Sequence, residues 1–311
     1  MNAVKVDRGI VVSEVAPQPR PGRNELLIRV CAAGFTATEL SWYPTSHRKT
    51  GEVRVDAVPA HEFSGVVADA GEEVGSLEIG REVFGMNDWY ADGAMAEYCV
   101  APFFAVAPKP ARLSHIEAAS VPIAALTAWQ GLFDHAKLQP GECVLVHGGA
   151  GSVGVFAVQL ARLHGADVIA TASSRNCDFV SSLGADRVID YTNSRFEDYA
   201  KQVDVVFDTV GGETLVRSWA ALKPGGRLVT VVSTAEASAD ARVQKAFFIV
   251  EPNQKQLTEI AGLLDGGAVR PIVDTVIPLS EAPEAYAGRV SRQGRGKLVV
   301  SVADVNQSSK S

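Results

Sequence analysis

Apolar and polar positions follow three different rhythms along the 311-residue chain. Up to residue 110 the apolar positions fall in short runs rich in β-branched and aromatic residues: ELLIRV (25–30), FSGVVADA (63–70) and AEYCVAP (96–102). Gly, Pro and Asp separate them, which predicts strands joined by turns. From Glu142 the rhythm alternates strand and helix: CVLVHG (143–148), VGVFAVQLARLHG (153–165), DVIATAS (167–173), FVSSLGA (179–185) and RVID (187–190). VDVVFDTVG (203–211), a helical stretch at TLVRSWAALKPGG (214–226) and RLVTVVS (227–233) continue it. Apolar strands with helices between them predict a parallel sheet covered on both faces. After Ser233 the pattern changes again. NQKQLTEIAGLLDGG (253–267) predicts an amphipathic helix, VRPIVDTVIPL (269–279) and GKLVVSV (296–302) predict strands, and VNQSSKS (305–311) predicts a frayed polar tail. The layout is α/β: a β-rich domain, residues 1–111 and 249–311, interrupted by a doubly wound domain, residues 112–248.

Inside the alternating stretch stands Gly149-Ala150-Gly151-Ser152-Val153-Gly154. A strand (Val144–Val146) leads into it, a helix (Val153–Leu163) leaves it, and a second strand (Val168–Ala172) completes a βαβ unit. In that setting G-x-G-x-x-G is a dinucleotide-binding fingerprint. Gly149 permits the tight turn, Gly151 lets the backbone approach a pyrophosphate, and Gly154 lets the helix pack against the strand. The backbone from Gly149 through Ser152 and Val153 then offers N–H groups at the positive end of the helix dipole.

The end of the second strand separates the two nicotinamide dinucleotides. An Asp or Glu there holds the ribose 2′-hydroxyl of NAD. This chain has Thr171-Ala172-Ser173-Ser174-Arg175 and no acid. A carboxylate 4 Å from one phosphate charge would cost roughly 4 kcal/mol at an effective dielectric of 20. The missing acid therefore favours NADPH, with Ser173, Ser174 and Arg175 as donors to its 2′-phosphate. Tyr191, after the next strand, can reach the same group. The Ser-Ser-Arg run also suits a helix cap near Asn176.

Composition excludes several partners. Hydrophobic residues make up 47% and charged residues 21%, an ordinary globular balance. The net charge of −7 argues against nucleic acid or an anionic membrane as partner. Four cysteines, Cys31, Cys99, Cys143 and Cys177, are scattered without a C-x-x-C pair, and Cys143 reads as a small buried side chain. The N-terminus lacks the apolar core of a signal peptide, no run nears the ~18 apolar residues of a membrane span, and Ser-Lys-Ser is not the peroxisomal address. The expected location is the cytoplasm.

At the glycine turn and around it the chain resembles the medium-chain dehydrogenase/reductases, in particular their zinc-free quinone oxidoreductase (zeta-crystallin-like) branch. GECVLVHGGAGSVGVFAVQLAR carries Gly141-Glu142, Leu145, the glycines, Gln159 and Arg162 where that branch has them, with Ser152 in place of its usual glycine. AAGFTATEL (32–40), PAHEFSGVV (59–67), GAMAEY (93–98) and AALTAW (124–129) are similar upstream. DTVGG (208–212), LKPGGRLV (222–229), FFIVEPN (247–253) and GKLVV (296–300) are similar downstream. The resemblance implies a GroES-like β domain beside a Rossmann domain, an active site in the cleft between them, and a homodimer.

Zinc-dependent members of that superfamily hold the metal with a Cys, the His of a Gly-His-Glu motif and a second Cys. This chain keeps His61-Glu62, has Thr36 at the first position, shows no Cys near PIAALTAW, and lacks the four-cysteine structural lobe. Hydroxyl oxygen is a poor zinc ligand, so no metal is expected and His61 reads as a hydrogen-bonded structural residue. The resemblance then implies hydride transfer from NADPH to a small-molecule acceptor, a quinone or an α,β-unsaturated carbonyl. It places Thr127, Val232, Ser233, Phe247, Phe248 and Val250 near the nicotinamide. Thr36, where the branch commonly has a pocket asparagine, and Tyr43, a proton-donor candidate in LSWYPTSH, are the catalytic candidates. His47 is a weaker one. Trp42, Tyr43 and Phe247 suit an aromatic wall for a flat acceptor. An alcohol dehydrogenase of the same superfamily and a non-catalytic NADPH-binding protein are the alternatives.

Overall fold

Strand β3 carries the first sheet of the computed structural model, which describes residues 1–7, 9–74 and 79–302. The tail expected to fray lies outside the described residues. A hairpin of β1 (Asn2–Asp7) and β2 (Ile10–Val15) precedes β3 (Glu25–Gly34). On one edge β3 pairs antiparallel with β4 (Glu62–Ala70), which leads to β5 (Glu82–Met86) and β7 (Val106–Pro108). Its other edge is shared. β6 (Tyr98–Pro102) pairs with Glu25–Arg29, and β14 (Lys297–Ser301) pairs with Ala32–Gly34. β13 (Val273–Pro278) lies parallel to β14 at the sheet's edge. The chain's last strands therefore return to its first sheet. The β-branched and aromatic residues of these strands fill a core around Ile28, Phe63, Val83 and Leu298.

The second sheet is parallel throughout, ordered β10-β9-β8-β11-β12. Its strands are β8 (Cys143–Val146), β9 (Asp167–Ala172), β10 (Arg187–Asp190), β11 (Val203–Asp208) and β12 (Leu222–Thr230). In chain order this reads 3-2-1-4-5, the doubly wound arrangement whose strand order reverses between β8 and β11. Ligands bind in such sheets at the carboxyl ends of those two strands, where the glycine turn stands. Core residues of the first sheet, Phe84 and Met86, share a cluster with Leu126, Val146 and Phe156 of the second region. The helix Gln254–Asp265 buries Leu257, Ile260 and Leu264 in that shared cluster.

Three sequence expectations shift. The helix before β12 covers Gly212–Ser218 and a further turn to Ala221, while LKPGG belongs to β12. Apolar Trp219, Ala220 and Ala221 carry the helical pattern forward, but the backbone of 222–226 extends alongside β11. Ala96 makes only an isolated bridge to Ala3, and the strand begins at Tyr98. Cys143 is half-buried at the start of β8. No helix among the described residues is long and apolar enough to cross a membrane.

His147, at the end of β8, is fully buried and satisfied as a neutral ring. Ser218 Oγ donates to the Thr214 carbonyl (2.6 Å), so His147 Nε2–H donates to Ser218 Oγ (2.9 Å). Gly148 N–H donates to Thr171 Oγ1 (3.2 Å), leaving the Thr171 proton for His147 Nδ1 (3.3 Å). Burial, with the Arg217 cation second, pushes the imidazole down from 6.5 to about 4. As pH falls through 6.5 the unfolded chain gains a proton that the folded one refuses, so stability is present above 6.5 and lost toward 4. We expect denaturant unfolding to show a loss of about 3 kcal/mol across that window, and His147→Asn to remove this part of the pH dependence.

Candidate active site

The glycine turn is built from one more glycine than the fingerprint counts. Gly148, with φ of 74°, is the residue in the left-handed region, and the tight-turn role expected of Gly149 belongs to it. Gly149 instead lies against Val180 and Ala170. Gly154 does what the fingerprint requires: a Cβ there would stand 2.1 Å from the Gly148 carbonyl oxygen. The helix runs Ser152–Leu163, and Gly151 at its N-cap offers no side-chain acceptor. Its first intrahelical bond is Val155 N–H to the Gly151 carbonyl (3.0 Å). The N–H groups of Ser152, Val153 and Gly154 precede that bond, so the positive end of the helix is presented to a ligand. Gly296 N–H donates to the Ala150 carbonyl (2.8 Å), tying the start of β14 to the turn.

At the adenosine end the sequence reading needs correction. No acid follows β9, but Asp190 at the end of β10 sends its carboxylate to the same place. Ser174 Oγ donates to Asp190 Oδ2 (2.6 Å) and contacts Thr192 Oγ1 (2.7 Å), so it is not a free donor. Those hydroxyls, with the Thr192 and Asn193 N–H groups, hold the Asp190 carboxyl far below the usual carboxylate range. Ser173 is half-buried at the start of the 3-10 turn Ser174–Asn176, and makes no side-chain cap. Arg175 and Tyr191 are exposed. Arg295, which the sequence reading missed, joins them. Its Nε donates to Asn176 Oδ1 (2.8 Å), its Nη2 to the Arg175 carbonyl (2.9 Å), and its guanidinium lies over the Phe179 ring (4.9 Å). A Gly-Arg-Gly step 120 residues away in sequence gave no local signal for this contact.

Thr127 is buried on the helix Pro122–Trp129, and its Oγ1 donates to the Ile123 carbonyl (2.6 Å). Its hydroxyl proton is used, so towards a ligand it acts as an acceptor. Asp208, at the end of β11, accepts from Val210 N–H and Gly211 N–H (both 3.1 Å) and from Thr230 Oγ1 (2.7 Å). This shapes the loop beside the turn, and Val232 packs on Gly211. Ser233 starts an exposed turn. Phe247 and Phe248 separate: Phe247 joins the cluster around Val206, while Phe248 and Val250 enter the shared cluster, with Phe248 stacked on His135 (4.3 Å). Gln130 holds this segment by pairing both its amide ends with the Glu251 backbone (2.8 and 2.9 Å).

The aromatic wall has a different membership from the expected one. Trp42 meets Trp89 edge to face (5.5 Å), and Trp89 meets the His61 ring (5.4 Å). Trp89 Nε1 donates to the Val250 carbonyl (3.3 Å), which joins this wall to the segment opposite. Tyr43 is 54% exposed and stacks on His47 (4.3 Å). Thr36 is half-buried just after β3. Beneath the wall lie buried charges. Glu39 accepts from Ala60 N–H (2.8 Å) and from Tyr286 OH. Burial and the Glu39 carboxylate push the Tyr286 hydroxyl well up. Glu62 pairs with Lys297 and accepts from Ile123 N–H (2.9 Å).

His61 overturns its sequence reading. It is 2% exposed, and neither ring nitrogen has a hydrogen-bond partner among the described residues. Leaving such a group unsatisfied costs about 1–3 kcal/mol. Its Nδ1 stands 3.5 Å from Glu39 Oε2. Among the described residues no group of three or more His, Cys, Asp and Glu side chains is disposed to hold a metal ion.

A doubly wound sheet presenting an uncapped helix terminus, beside a β domain with an aromatic cluster, is the arrangement of a pyridine-nucleotide-dependent oxidoreductase, and the family matches assign that class. Residues 22–111 match the family described as alcohol dehydrogenase GroES-like domain, and residues 183–300 the one described as zinc-binding dehydrogenase. A probable zinc-binding oxidoreductase of Arthroderma benhamiae is 33% identical, covering 92% of this chain and 91% of its own. The NADPH-dependent alkenal/one oxidoreductase of Arabidopsis thaliana is 30% identical over 96% of this chain and 76% of its own. The solved quinone oxidoreductase of Coxiella burnetii superposes with a TM-score of 0.87 at 32% identity, covering 97% of this chain and 99% of its own. The chain belongs to the medium-chain dehydrogenase/reductase superfamily.

The turn geometry makes one substitution informative. Gly154→Ala forces its Cβ onto the Gly148 carbonyl, and overpacking of this kind costs about 1–3 kcal/mol. We expect a lower melting temperature together with at least about a tenfold weaker dinucleotide Kd, read by quenching of the tryptophan fluorescence.

Proposed function

We propose that this protein is an NADPH-dependent, zinc-independent reductase acting on quinones or α,β-unsaturated carbonyls. The observation that carries the reading is the pairing of an uncapped helix terminus at the glycine turn with the aromatic cluster of Trp42, Trp89 and His61. An alcohol dehydrogenase needs an electrophile to stabilise an alkoxide, and zinc usually supplies it. A quinone or enone spreads the incoming charge over a conjugated oxygen and needs only orientation and a proton. The relatives named for alkenal/one and quinone reduction support this acceptor class.

Bound at the turn, NADPH supplies the hydride. The free N–H groups of Ser152, Val153 and Gly154 bind the pyrophosphate, and Thr127 accepts from the carboxamide. Trp42 and Trp89 stack a flat acceptor and exclude water. For the 2′-phosphate, the guanidinium groups of Arg175 and Arg295 outweigh one carboxylate whose oxygens Ser174, Thr192 and Asn193 already occupy.

Equilibrium titration is expected to give NADPH a Kd at least about tenfold below that of NADH; equal or tighter NADH binding overturns the cofactor assignment. Asp190→Asn, which removes a negative charge at that end, is expected to tighten NADPH and leave NADH nearly unchanged. Mixing with NADPH and either 9,10-phenanthrenequinone or a medium-chain alkenal is expected to consume the cofactor. Tight NADPH binding without turnover of either acceptor would favour a non-catalytic binding protein.

A further inference from the structure

We propose that Asp274 is a positioning residue for cofactor choice: it holds a loop of the β domain so that Arg295 stands at the adenosine end and favours NADPH over NADH. This rests on the NADPH reading above. The residues that meet the adenosine ribose follow β9 in the doubly wound domain. Arg295 comes from the other domain, just before β14, yet it lies among them. Buried Asn176 grips this segment twice. Its Oδ1 accepts from Arg295 Nε (2.8 Å), and its Nδ2 donates to the Gly294 carbonyl (3.4 Å). Arg295 Nη2 donates to the Arg175 carbonyl (2.9 Å), and the Phe179 ring lies under the guanidinium. These bonds use two of an arginine's five N–H donors, and the residue is only half-buried, so donors remain for an anion.

A buried carboxylate on β13 carries Arg295 to that place. The Asp274 side chain has no exposed surface. Its Oδ1 accepts from the N–H groups of Gln293 (3.0 Å) and Arg295 (3.3 Å), and its Oδ2 accepts from Arg292 Nε (3.0 Å). Gly294, between the two bonded N–H groups, has φ of 76°, a bend that glycine makes without strain. Arg292 matches the charge of Asp274, so the carboxylate that places Arg295 does not cancel it. Both ends of this frame are fixed. Gly296 N–H donates to the Ala150 carbonyl of the glycine turn (2.8 Å), and Lys297 N–H to the Ile272 carbonyl (3.0 Å). Just before β13, Arg270 is held by Gln159 of the helix Ser152–Leu163, through its N–H (2.9 Å) and its carbonyl (3.0 Å).

The frame acts on one chemical difference. A 2′-phosphate brings charge and acceptor oxygens that a 2′-hydroxyl lacks, and a guanidinium recognises both. A mobile arginine would have to be ordered when the cofactor arrives, and one already held avoids most of that cost. Releasing the loop therefore weakens NADPH and leaves NADH nearly where it was.

The test measures Kd by equilibrium titration of the full-length protein with NADPH and NADH. A second pair, adenosine 2′,5′-bisphosphate and adenosine 5′-monophosphate, differs only in the 2′-phosphate. Arg295→Met, which keeps an apolar stem over Phe179, is expected to weaken NADPH and the bisphosphate about tenfold or more, and NADH and the monophosphate less than about twofold. Asp274→Ala is expected to lower the NADPH preference about fivefold or more, and to have no further effect on it in the Arg295→Met background. Asp274→Asn keeps one acceptor oxygen but sets an amide against Arg292. It is expected to fold even where Asp274→Ala does not, and to lower the preference about threefold, again only while Arg295 is present. Equal weakening of both cofactors by the Asp274 variants, with the preference intact, would show a structural role and overturn the proposal. A preference that survives Arg295→Met would overturn it as well, as would a further loss of preference from either Asp274 variant in that background. A wild type that binds NADH as tightly as NADPH would sink the cofactor reading instead. The bisphosphate and monophosphate, titrated in the same variants, would then still judge Asp274 and Arg295.

Discussion

One buried ion pair, Glu62 with Lys297, ties the β domain to the helix that follows it. Glu62 lies on β4, and its second oxygen accepts from Ile123 at the start of the helix that carries Thr127. Lys297 opens β14, directly after the Gly296 that bonds to the glycine turn. One carboxylate and one ammonium therefore join the β domain, the helix that carries Thr127 and the glycine turn. Breaking such a pair by removing one partner costs about 3–5 kcal/mol, because the other charge is stranded. The burial that makes the pair decisive also strains it. Desolvation pulls the Lys297 ammonium down to about 7, and the nearby Glu39 carboxylate acts against that pull.

Around this pair the chain treats its buried polar groups in two ways. Some are satisfied: His147 between Ser218 and Thr171, and Asp208 beneath the loop it shapes. Others are not: Trp219 Nε1 has no hydrogen-bond partner among the described residues, and the His61 ring lies against Trp89 and beside Glu39 but is hydrogen-bonded to neither. Consistency at every local level is what makes a sequence fold to one structure, and departures from it concentrate at functional sites. The start of β4 thus supplies both an unpaired ring, His61, and the carboxylate, Glu62, that ties this strand to the helix of Thr127.

The adenosine end shows why charge at a binding site cannot be summed from one strand. Ser173, Ser174 and Arg175 follow β9, but Asp190 arrives from β10 and Arg295 from the end of the chain. In a parallel sheet the carboxyl ends of neighbouring strands converge at one edge, so residues far apart in sequence share one small volume. Ser174 is diverted to Asp190 by that convergence, and Arg295 is recruited by it.

Much of the fold was written locally. The apolar runs with helices between them specified the parallel sheet, and G-x-G-x-x-G in its βαβ setting located the turn, because strand period, helix period and glycine geometry are properties of adjacent residues. The turn's left-handed residue escaped the motif by one position, since Gly148 is distinguished by its φ and not by its spacing. The helix end at Ser218 was missed because Trp-Ala-Ala continues a helical pattern that the pairing of 222–230 with β11 overrides. The partners that define the site were decided by tertiary structure alone: Asp190 with Ser174, Arg295 with Asn176, Trp89 with His61 and Lys297 with Glu62. Each joins residues from separate segments, at distances that no periodicity encodes. Local sequence determined the strands, helices and the glycine turn, because periodicity and backbone freedom belong to adjacent residues; burial and the meeting of strand ends determined which side chains share one site.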